Sequence, residues 1–463
     1  MNAASTQRHK LNTHAMWALS LLLITLPLIL GGNRPMAWTL YALLLSLLAV
    51  YYFAMLLWNG IDPRITVSDL KFPTALLIVF CGYIVLQTLP LASMLPASIL
   101  YLPEGVLPPE TISISPQDTL LGFARWINIA LTGYLALQIA ANSIRAARFL
   151  RILFWIAAAH AIYGLLLRYQ FGDTILFTQK WAYIGFATGG FVNRNSFATF
   201  LAIGSVIGVI RLYDIFRQRP NDNGQGLFML LNVREGLLLP LLGWLMILIA
   251  IVATSSRMGL FASFAGMAVA VGLFHARRSE RTTGPLGTVA ALGLLIVGAT
   301  TIAYLYGTSL MERFQTVDQS TEVRMQLYDQ IWGMVMVRPW TGFGGGTFEY
   351  AYPLFHQSPV NFDFVWDRAH SSYLALWSEY GLIFGTLPMI LVLYFFALLA
   401  GTYLKSTKAD AFVIAAIGAT VAVAIHSSVD FSLEMHGVTL FYVALLAGAV
   451  GKSVSIRRGL EAG

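Results

Sequence analysis

Long apolar runs separated by short polar breaks recur along the whole chain. Twelve of them are long enough for a membrane helix, since about 20 apolar residues cross the hydrocarbon core of a bilayer. They cover residues of about 16–32, 36–57, 72–92, 120–141, 148–169, 195–212, 237–254, 257–274, 286–306, 371–400, 409–427 and 436–452. The pattern predicts an all-α polytopic membrane protein, with about 12 transmembrane helices and a large loop over 307–370 between helices 9 and 10.

Composition agrees with this class and excludes a soluble globular chain. Hydrophobic residues make up 57% of the 463 residues, charged residues only 11%, and the mean hydropathy is +0.69. Residues 1–463 are therefore interpreted as a single integral membrane domain, with 307–370 as a loop subregion. Arg8 and Lys10 precede the first span, but no small-residue cleavage site follows, so that span is expected to stay as a helix. Cys81 is the single cysteine, so an internal disulfide is impossible.

The distribution of lysine and arginine predicts the orientation of the chain. With the N-terminus placed inside, 19 of the 29 lysine and arginine residues fall on inner segments. Both termini are therefore expected in the cytoplasm and the loop 307–370 outside it. The net charge of +7 mostly reflects this bias, so the expected partner is the lipid bilayer and not nucleic acid.

Ten cations fall on the other side, where the insertion rule does not explain them. Nine are arginine, whose planar fork suits bidentate binding of phosphate or carboxylate. An alternative is that single arginines extend toward lipid headgroups. The ten are Arg34, Arg125, Arg168, Lys180, Arg194, Arg257, Arg313, Arg324, Arg338 and Arg368.

Arg194 and Arg257 are the strongest candidates of this set for an anion site. Arg257 lies in "ATSSRMGLF", a polar break so short that the residue must lie at the membrane surface. Arg194 lies in "GGFVNRNSFATFL", where Asn193 or Asn195 can cap the following helix. Amides at a helix start beside an arginine are typical of anion binding.

The outer loop also contains a stretch rich in glycine and aromatic residues, "RPWTGFGGGTFEYAYPLF" (338–355). No strand precedes it, so it predicts a tight turn or a close backbone approach to a ligand rather than a nucleotide-binding loop. The aromatic residues can stack on sugar rings or form a belt at the membrane interface, and the belt is favoured for most of them.

His370 lies directly before a predicted span, in "WDRAHSSYLALWSEYGLIFG" (366–385). A neutral imidazole suits general-base catalysis near neutral pH, and Arg368 is expected to lower its pKa by like-charge repulsion. The alternative is an interfacial histidine with a structural hydrogen bond. Asp367 can orient His370 only if the helix starts early. Glu379 falls on the opposite face of a continuous helix, about 13 Å along its axis, so we expect it to pair with another helix.

Near the last span, "HSSVDFSLEMH" places His426, Asp430 and Glu434 at spacings of four residues, on one face if the segment is helical. A polar cluster at a helix end is the alternative.

The candidate residues favour one kind of chemistry. The sequence has no metal-ligand spacing and no GxSxG nucleophile, so neither a metal site nor a cofactor is predicted. Transfer from a diphosphate leaving group fits what is present, because it needs cations for the developing charge and one base for the acceptor proton.

Five segments within 189–437 together resemble the O-antigen ligase and polymerase superfamily, bacterial inner-membrane glycosyltransferases of the GT-C type. They are "GGFVNRNSFATFL", "TSSRMGLFAS", "RPWTGFGGGTF", "RAHSSYLALWSEYGLIFG" and "HSSVDFSLEMHG". The resemblance implies a multi-pass inner-membrane enzyme with a periplasmic loop, acting without a metal on an undecaprenyl-diphosphate-linked oligosaccharide. It also implies that Arg194 and Arg257 hold the diphosphate and that His370 is the base. Asn193, Asn195, Arg368, Glu379, His426 and Asp430 complete the candidate substrate-binding set, the role of Arg368 having no counterpart in the family motif.

The resemblance favours a polymerase of glycan repeat units, for O-antigen or exopolysaccharide, over a ligase that transfers glycan to lipid A–core. A flippase and a chain-length regulator are then the expected protein partners. A polytopic transporter or flippase is the alternative from another class. It is disfavoured because transporters place polar groups at mid-bilayer, whereas here they lie near the outer rim.

Overall fold

The computed structural model describes residues 3–96, 99–101, 109–217, 236–277, 323–361 and 365–461, and nearly all regular structure in this part is helical. Nine of its helices are long and apolar enough to cross a membrane, and α7 and α11 are shorter apolar helices. The predicted all-α polytopic class is therefore confirmed, whereas the predicted span 286–306 lies outside the described residues. The helices are α1 Ala3–Thr25, α2 Pro35–Trp58, α3 Lys71–Gln87, α4 Pro116–Ala140, α5 Ser143–Tyr169, α6 Arg194–Arg217, α7 Leu238–Thr254, α8 Arg257–Ala276, α9 323–337, α10 Ser372–Lys405, α11 Ala411–Ser427 and α12 His436–Glu461.

Local sequence explains where several helices begin. Proline occupies the first position of α2 and α4, where its missing N–H costs no helical hydrogen bond. The side chain of Asp410 accepts hydrogen bonds from the backbone N–H groups of Phe412 and Val413 and so caps α11. These are short-range signals, and they place most predicted boundaries within a few residues.

The centre of the bundle is formed by α6 and α12, which are the most deeply buried of the long spans described here, whereas α10 lies at the edge. Small residues permit close helix packing around them. A Cβ on Gly266 of α8 would stand 2.7 Å from the carbonyl oxygen of Gly418 of α11, so the two backbones touch. Close approach through small residues is a usual way for membrane helices to associate.

Polar contacts gather the predicted inner segments at one end of the bundle, here called the basic end. Arg458 of α12 binds Asp69 at 2.6 Å, and Lys452 lies 3.6 Å from Asp410. Near the other terminus, His9 of α1 lies 3.4 Å from Arg145. Both terminal helices thus have their polar ends on the same side, as the charge pattern predicts. The opposite end carries the candidate residues and is called the site end.

At the site end, the glycine-rich stretch forms a tight turn, as predicted, but its close approach is to protein backbone. Gly342 has φ 64°, and a Cβ there would stand 2.5 Å from the backbone of Glu379. Opposite it, Gly381 has φ 73° and interrupts α10. Only glycine fits both positions without strain, so the turn locks against the break in α10.

The aromatic residues of this loop differ from the predicted belt. Phe343, Phe348 and Tyr352 are buried and pack with apolar residues of α9 in a core separate from that of the main bundle. Trp340 and Tyr350 are the exposed ones. The belt prediction is therefore wrong for the three buried rings, because α9 covers them.

Candidate active site

His370 lies two residues before α10, and Ser371 between them is the N-cap residue of that helix. Its backbone has φ 51°, a left-handed conformation that is uncommon for any residue except glycine. The Tyr328 hydroxyl of α9 donates a 2.8 Å hydrogen bond to the His370 carbonyl oxygen. Strained backbone held by neighbours in this way is characteristic of functional sites.

The imidazole of His370 lies between two aromatic rings. Trp366 and Phe431 contact it edge-on, with ring centroids 5.5 and 5.0 Å away. Burial lowers the pKa of His370 below its ordinary value, the charge of Asp430 partly opposes this, and the charge of Arg324 adds to it. A neutral imidazole at pH 7 is the consequence, as general-base chemistry requires.

Arg368 does not act on His370 in the predicted way. Its guanidinium Nη1 binds Glu434 Oε2 at 3.0 Å, and Nη2 lies 3.5 Å from Asn33 Oδ1. Because its charge is compensated there, the lowered pKa of His370 has burial and Arg324 as its causes. The direction of the predicted shift agrees with the structure, and the predicted cause is wrong.

Glu434 is the centre of a partly buried ionic cluster beside the His370 loop. Besides Arg368, it meets Arg125 of α4, whose Nη2 donates a 2.5 Å hydrogen bond to the Glu434 carbonyl oxygen. Burial raises the pKa of Glu434, and the two arginines oppose that rise. The cluster joins α4, the His370 loop and the segment before α12, so Arg368 has a structural partner.

Glu379 faces the glycine-rich turn. Its carboxylate accepts a hydrogen bond from the backbone N–H of Gly346. The same carboxylate interacts electrostatically with Arg125 and Arg368. Its backbone carbonyl binds Gln87 at 2.9 Å. Glu379 therefore positions the turn, and the structure does not bring it to His370.

Arg194 is the first residue of α6, and Asn193 caps that helix by accepting a 2.7 Å hydrogen bond from the Asn195 N–H. The predicted cap is confirmed for Asn193. The Arg194 guanidinium lies over the ring of Phe186, 4.1 Å from its centroid, and 5.9 Å from that of Tyr183. These aromatic faces position the guanidinium at the start of α6.

Arg257 is the first residue of α8, and the Ser256 hydroxyl caps that helix by accepting from the Gly259 N–H at 3.2 Å. Gly259 packs against Ala198 of α6, since a Cβ on Gly259 would stand 2.5 Å from the Ala198 Cβ. The helices that begin at Arg194 and Arg257 therefore meet near their first turns. Two helix N-termini therefore lie close together, and each of these helices begins at an arginine, an arrangement that favours anions.

Asp430 lies after the end of α11 and connects the arginine helices with the histidine loop. Its Oδ1 accepts a 3.1 Å hydrogen bond from Asn195 Nδ2, and Oδ2 accepts one from the Ser432 hydroxyl. His426 of α11 contacts the Thr199 hydroxyl through Nδ1 at 2.5 Å. The same hydroxyl donates a 3.1 Å hydrogen bond to the Asn195 carbonyl oxygen, which links α11 to the start of α6.

The segment from His426 to Glu434 is not one helix, so the condition for placing His426, Asp430 and Glu434 on a single face is not met. The helix stops at Ser427, and Glu434 belongs to a short turn over Ser432–Glu434. His426 and Asp430 contact Thr199 and Asn195 of α6, whereas Glu434 pairs with Arg368 in the ionic cluster.

Sequence reasoning missed Tyr183, Tyr328 and the importance of Arg324. Arg324 of α9 was one of ten outward cations without a motif of its own, yet it influences the pKa of both His370 and Tyr183. Conversely, Arg338 is fully buried and donates to the carbonyl oxygens of Tyr101, Leu100 and Ile112. It orders the loop and is removed from the ligand-binding candidates.

Comparison with protein families gives a match to the O-antigen ligase family over residues 241–390. This match supports the resemblance of the chain to the O-antigen ligase and polymerase superfamily. No curated protein matches the chain closely enough to transfer a more specific activity. The matched range contains Arg257, Arg368, His370 and Glu379.

Several candidate residues lie outside the range that matches the O-antigen ligase family: Asn193, Arg194, Asn195, His426 and Asp430. They reach the histidine loop through contacts between α6 and the segment after α11. Their part in the reaction, like that of His370, is a prediction from geometry and chemistry.

Proposed function

We propose that this protein is a glycosyltransferase that polymerises polyprenyl-diphosphate-linked glycan repeat units at the periplasmic face of the bacterial inner membrane. The observation that carries the proposal is the pairing of a neutral, rigidly held histidine with two neighbouring helix N-termini that each begin at an arginine. Undecaprenyl diphosphate is the donor carrier that the family resemblance implies.

The arginines and the histidine divide the work of such a transfer. Arg194 and Arg257 bind the diphosphate and stabilise the negative charge that develops on the leaving oxygen. His370 accepts the proton of the acceptor hydroxyl as that oxygen attacks the anomeric carbon. The bond to the diphosphate breaks in the same transfer, so the carrier departs as the free polyprenyl diphosphate.

A second candidate activity is ligation of the same donor to lipid A–core. The aromatic-rich loop resembles that of family members linked to chain growth, but its rings Phe343, Phe348 and Tyr352 are buried and therefore not open to stack on a glycan. The preference for polymerisation now rests on the "HSSVDF" segment, which supplies His426 and Asp430 beside Asn195.

Purified protein in nanodiscs, supplied with polyprenyl-diphosphate-linked repeat units alone, tests the proposal. A polymerase produces a ladder of lipid-linked products, because the donor also serves as acceptor. A ligase forms product only when lipid A–core is added. Movement of the intact donor across a vesicle membrane, with no new glycosidic bond, would instead identify a transporter and reject both enzymes.

The pH dependence of transfer is the first prediction. The base must be neutral, and the neutral form exists above the pKa, which burial holds below 6.5 in His370. We therefore expect full activity at neutral pH and loss only as the pH falls through that lowered pKa. In Asp430→Asn, the loss of transfer activity at acid pH should occur at a still lower pH, because the charge of Asp430 raises the pKa of His370. An acid limb centred above pH 7 would contradict this assignment.

Topology is the second prediction. The 19-to-10 split of lysine and arginine predicts that the basic end lies in the cytoplasm. Alkaline phosphatase fused after Val360 should be active, and the same enzyme fused after Lys405 should be inactive. The reverse pattern would place the site on the cytoplasmic face and reject the proposed periplasmic reaction.

A further inference from the structure

Between α5 and α6, a small β-hairpin carries an apolar tip at the site end of the bundle. Its strands are Thr174–Ile175 and Thr178–Gln179, paired antiparallel. The two residues of the turn, Leu176 and Phe177, both have positive φ, 48° and 60°. Such turns normally contain Asn-Gly, so a Leu-Phe pair here is unusual.

The charged residues of this segment lie at its base. Lys180 Nζ binds Asp173 Oδ1 at 2.6 Å and the Phe186 carbonyl oxygen at 2.7 Å, and Lys180 is buried. Asp173 also accepts a hydrogen bond from the Gly185 N–H at 2.5 Å. The outer surface of the segment is apolar, since the Phe177 side chain is 65% exposed and that of Trp181 is 58% exposed. Charged groups inside and apolar groups outside are the arrangement expected of a surface that faces lipid.

The position of the tip gives its depth. The Phe177 ring lies 6.3 Å from that of Tyr163, which precedes the end of α5 by six residues. At 1.5 Å per residue, Tyr163 lies about 9 Å below that helix end. The hairpin thus folds back along the flank of a membrane-spanning helix, and its apolar tip continues the exposed stripe of Leu166 and Tyr169.

We propose that the hairpin is an interfacial anchor whose Leu176–Phe177 tip inserts into the bilayer leaflet at the site end. Aromatic and aliphatic side chains at this depth bury apolar area among the acyl chains near the headgroups. The occupant of the surface is the leaflet itself, because the tip continues a span surface that already faces lipid.

The anchor also sets the height of Arg194, and this consequence rests on the proposed function. The base of the hairpin holds Phe186 through Lys180, and Phe186 holds the Arg194 guanidinium at 4.1 Å. Insertion of the tip at a defined depth therefore positions this cation at the level of a lipid-linked diphosphate.

Site-directed spin labelling tests the anchor without using activity. Cys81→Ser removes the single cysteine, and labels are then placed at Gln179→Cys, with Leu166→Cys as the lipid reference and Glu349→Cys as the aqueous reference. In nanodiscs, Gln179 should resemble Leu166, with high accessibility to oxygen and low accessibility to a water-soluble nickel chelate. Accessibility like that of Glu349 would overturn the proposal.

A matched variant keeps the turn and removes its apolar side chains. Leu176→Asn with Phe177→Gly supplies the residues that this turn prefers, so the hairpin should stay folded. The label at Gln179 should then become water-accessible, and the KM for bilayer-embedded donor should rise about tenfold with little change in kcat. If the label at residue 179 became water-accessible while the KM stayed unchanged, the proposal that the hairpin positions Arg194 would be rejected. If the wild type transfers no glycan, the proposed function fails, while the label still decides the anchor.

Discussion

Replacement of His370 by alanine is expected to abolish glycan transfer while the protein still folds and inserts. Loss of a general base typically costs about 10²–10⁴-fold in rate. His370→Asn should lose as much, although asparagine tolerates the left-handed backbone of this position. The pair separates loss of the base from loss of the backbone conformation. Transfer is measured with purified protein in nanodiscs and lipid-linked donor, with products separated on a gel.

His356 provides the matched control for this experiment. It belongs to the same loop and makes a local 3.1 Å contact with the Val360 carbonyl oxygen, away from the site. His356→Ala should therefore keep wild-type transfer. Donor binding should survive in the His370 variants, because both arginines are intact. Turnover within a few-fold of wild type in His370→Asn would make His370 a structural residue and leave His426 as the next candidate base.

Arg257→Lys and Arg257→Ala are both expected to lower transfer by about 10- to 100-fold, as loss of a hydrogen bond to a charged group does. Lysine should substitute poorly, because a point charge lacks the fork that binds two phosphate oxygens at once. The same pair of changes at Arg194 should act similarly, since the two helices begin side by side. Polymer yield at matched protein levels, followed by kinetics on purified protein, measures the effect.

Arg34 is the control for general loss of positive charge at this end of the bundle. It is an exposed arginine of the same outward set, and its guanidinium lies near the Asn33 carbonyl oxygen. Arg34→Ala should leave transfer nearly unchanged. Wild-type yield from both Arg257 variants would favour the alternative in which Arg257 extends toward lipid headgroups and does not bind donor.

Much of the architecture is readable from local sequence, because hydrophobicity, proline and capping residues act over one or two helical turns. The spans, the cap of α6 at Asn193 and the turn at Gly342 all have such short-range causes. The shared polar end of the terminal helices also follows from sequence, since positive charges bias loops to one side.

The composition of the site depends on contacts between distant segments, and only the tertiary structure decided it. Asn195 meets Asp430, 235 positions away, and Arg368 meets Glu434, 66 positions away. The second contact assigns Arg368 to an ion pair, although its place in the sequence suggested an effect on His370.

Sequence by itself determined the membrane class, the approximate spans, the family resemblance and the residue types suited to diphosphate chemistry. Tertiary structure decided which of those residues are buried, paired or brought together: Arg338 in the loop interior, Phe343 in a core under α9, and His370 between two rings. The physical reason is range. Helix formation and membrane insertion respond to residues that are close in sequence. Burial and ion pairing depend on residues that are distant in sequence and that folding brings into contact.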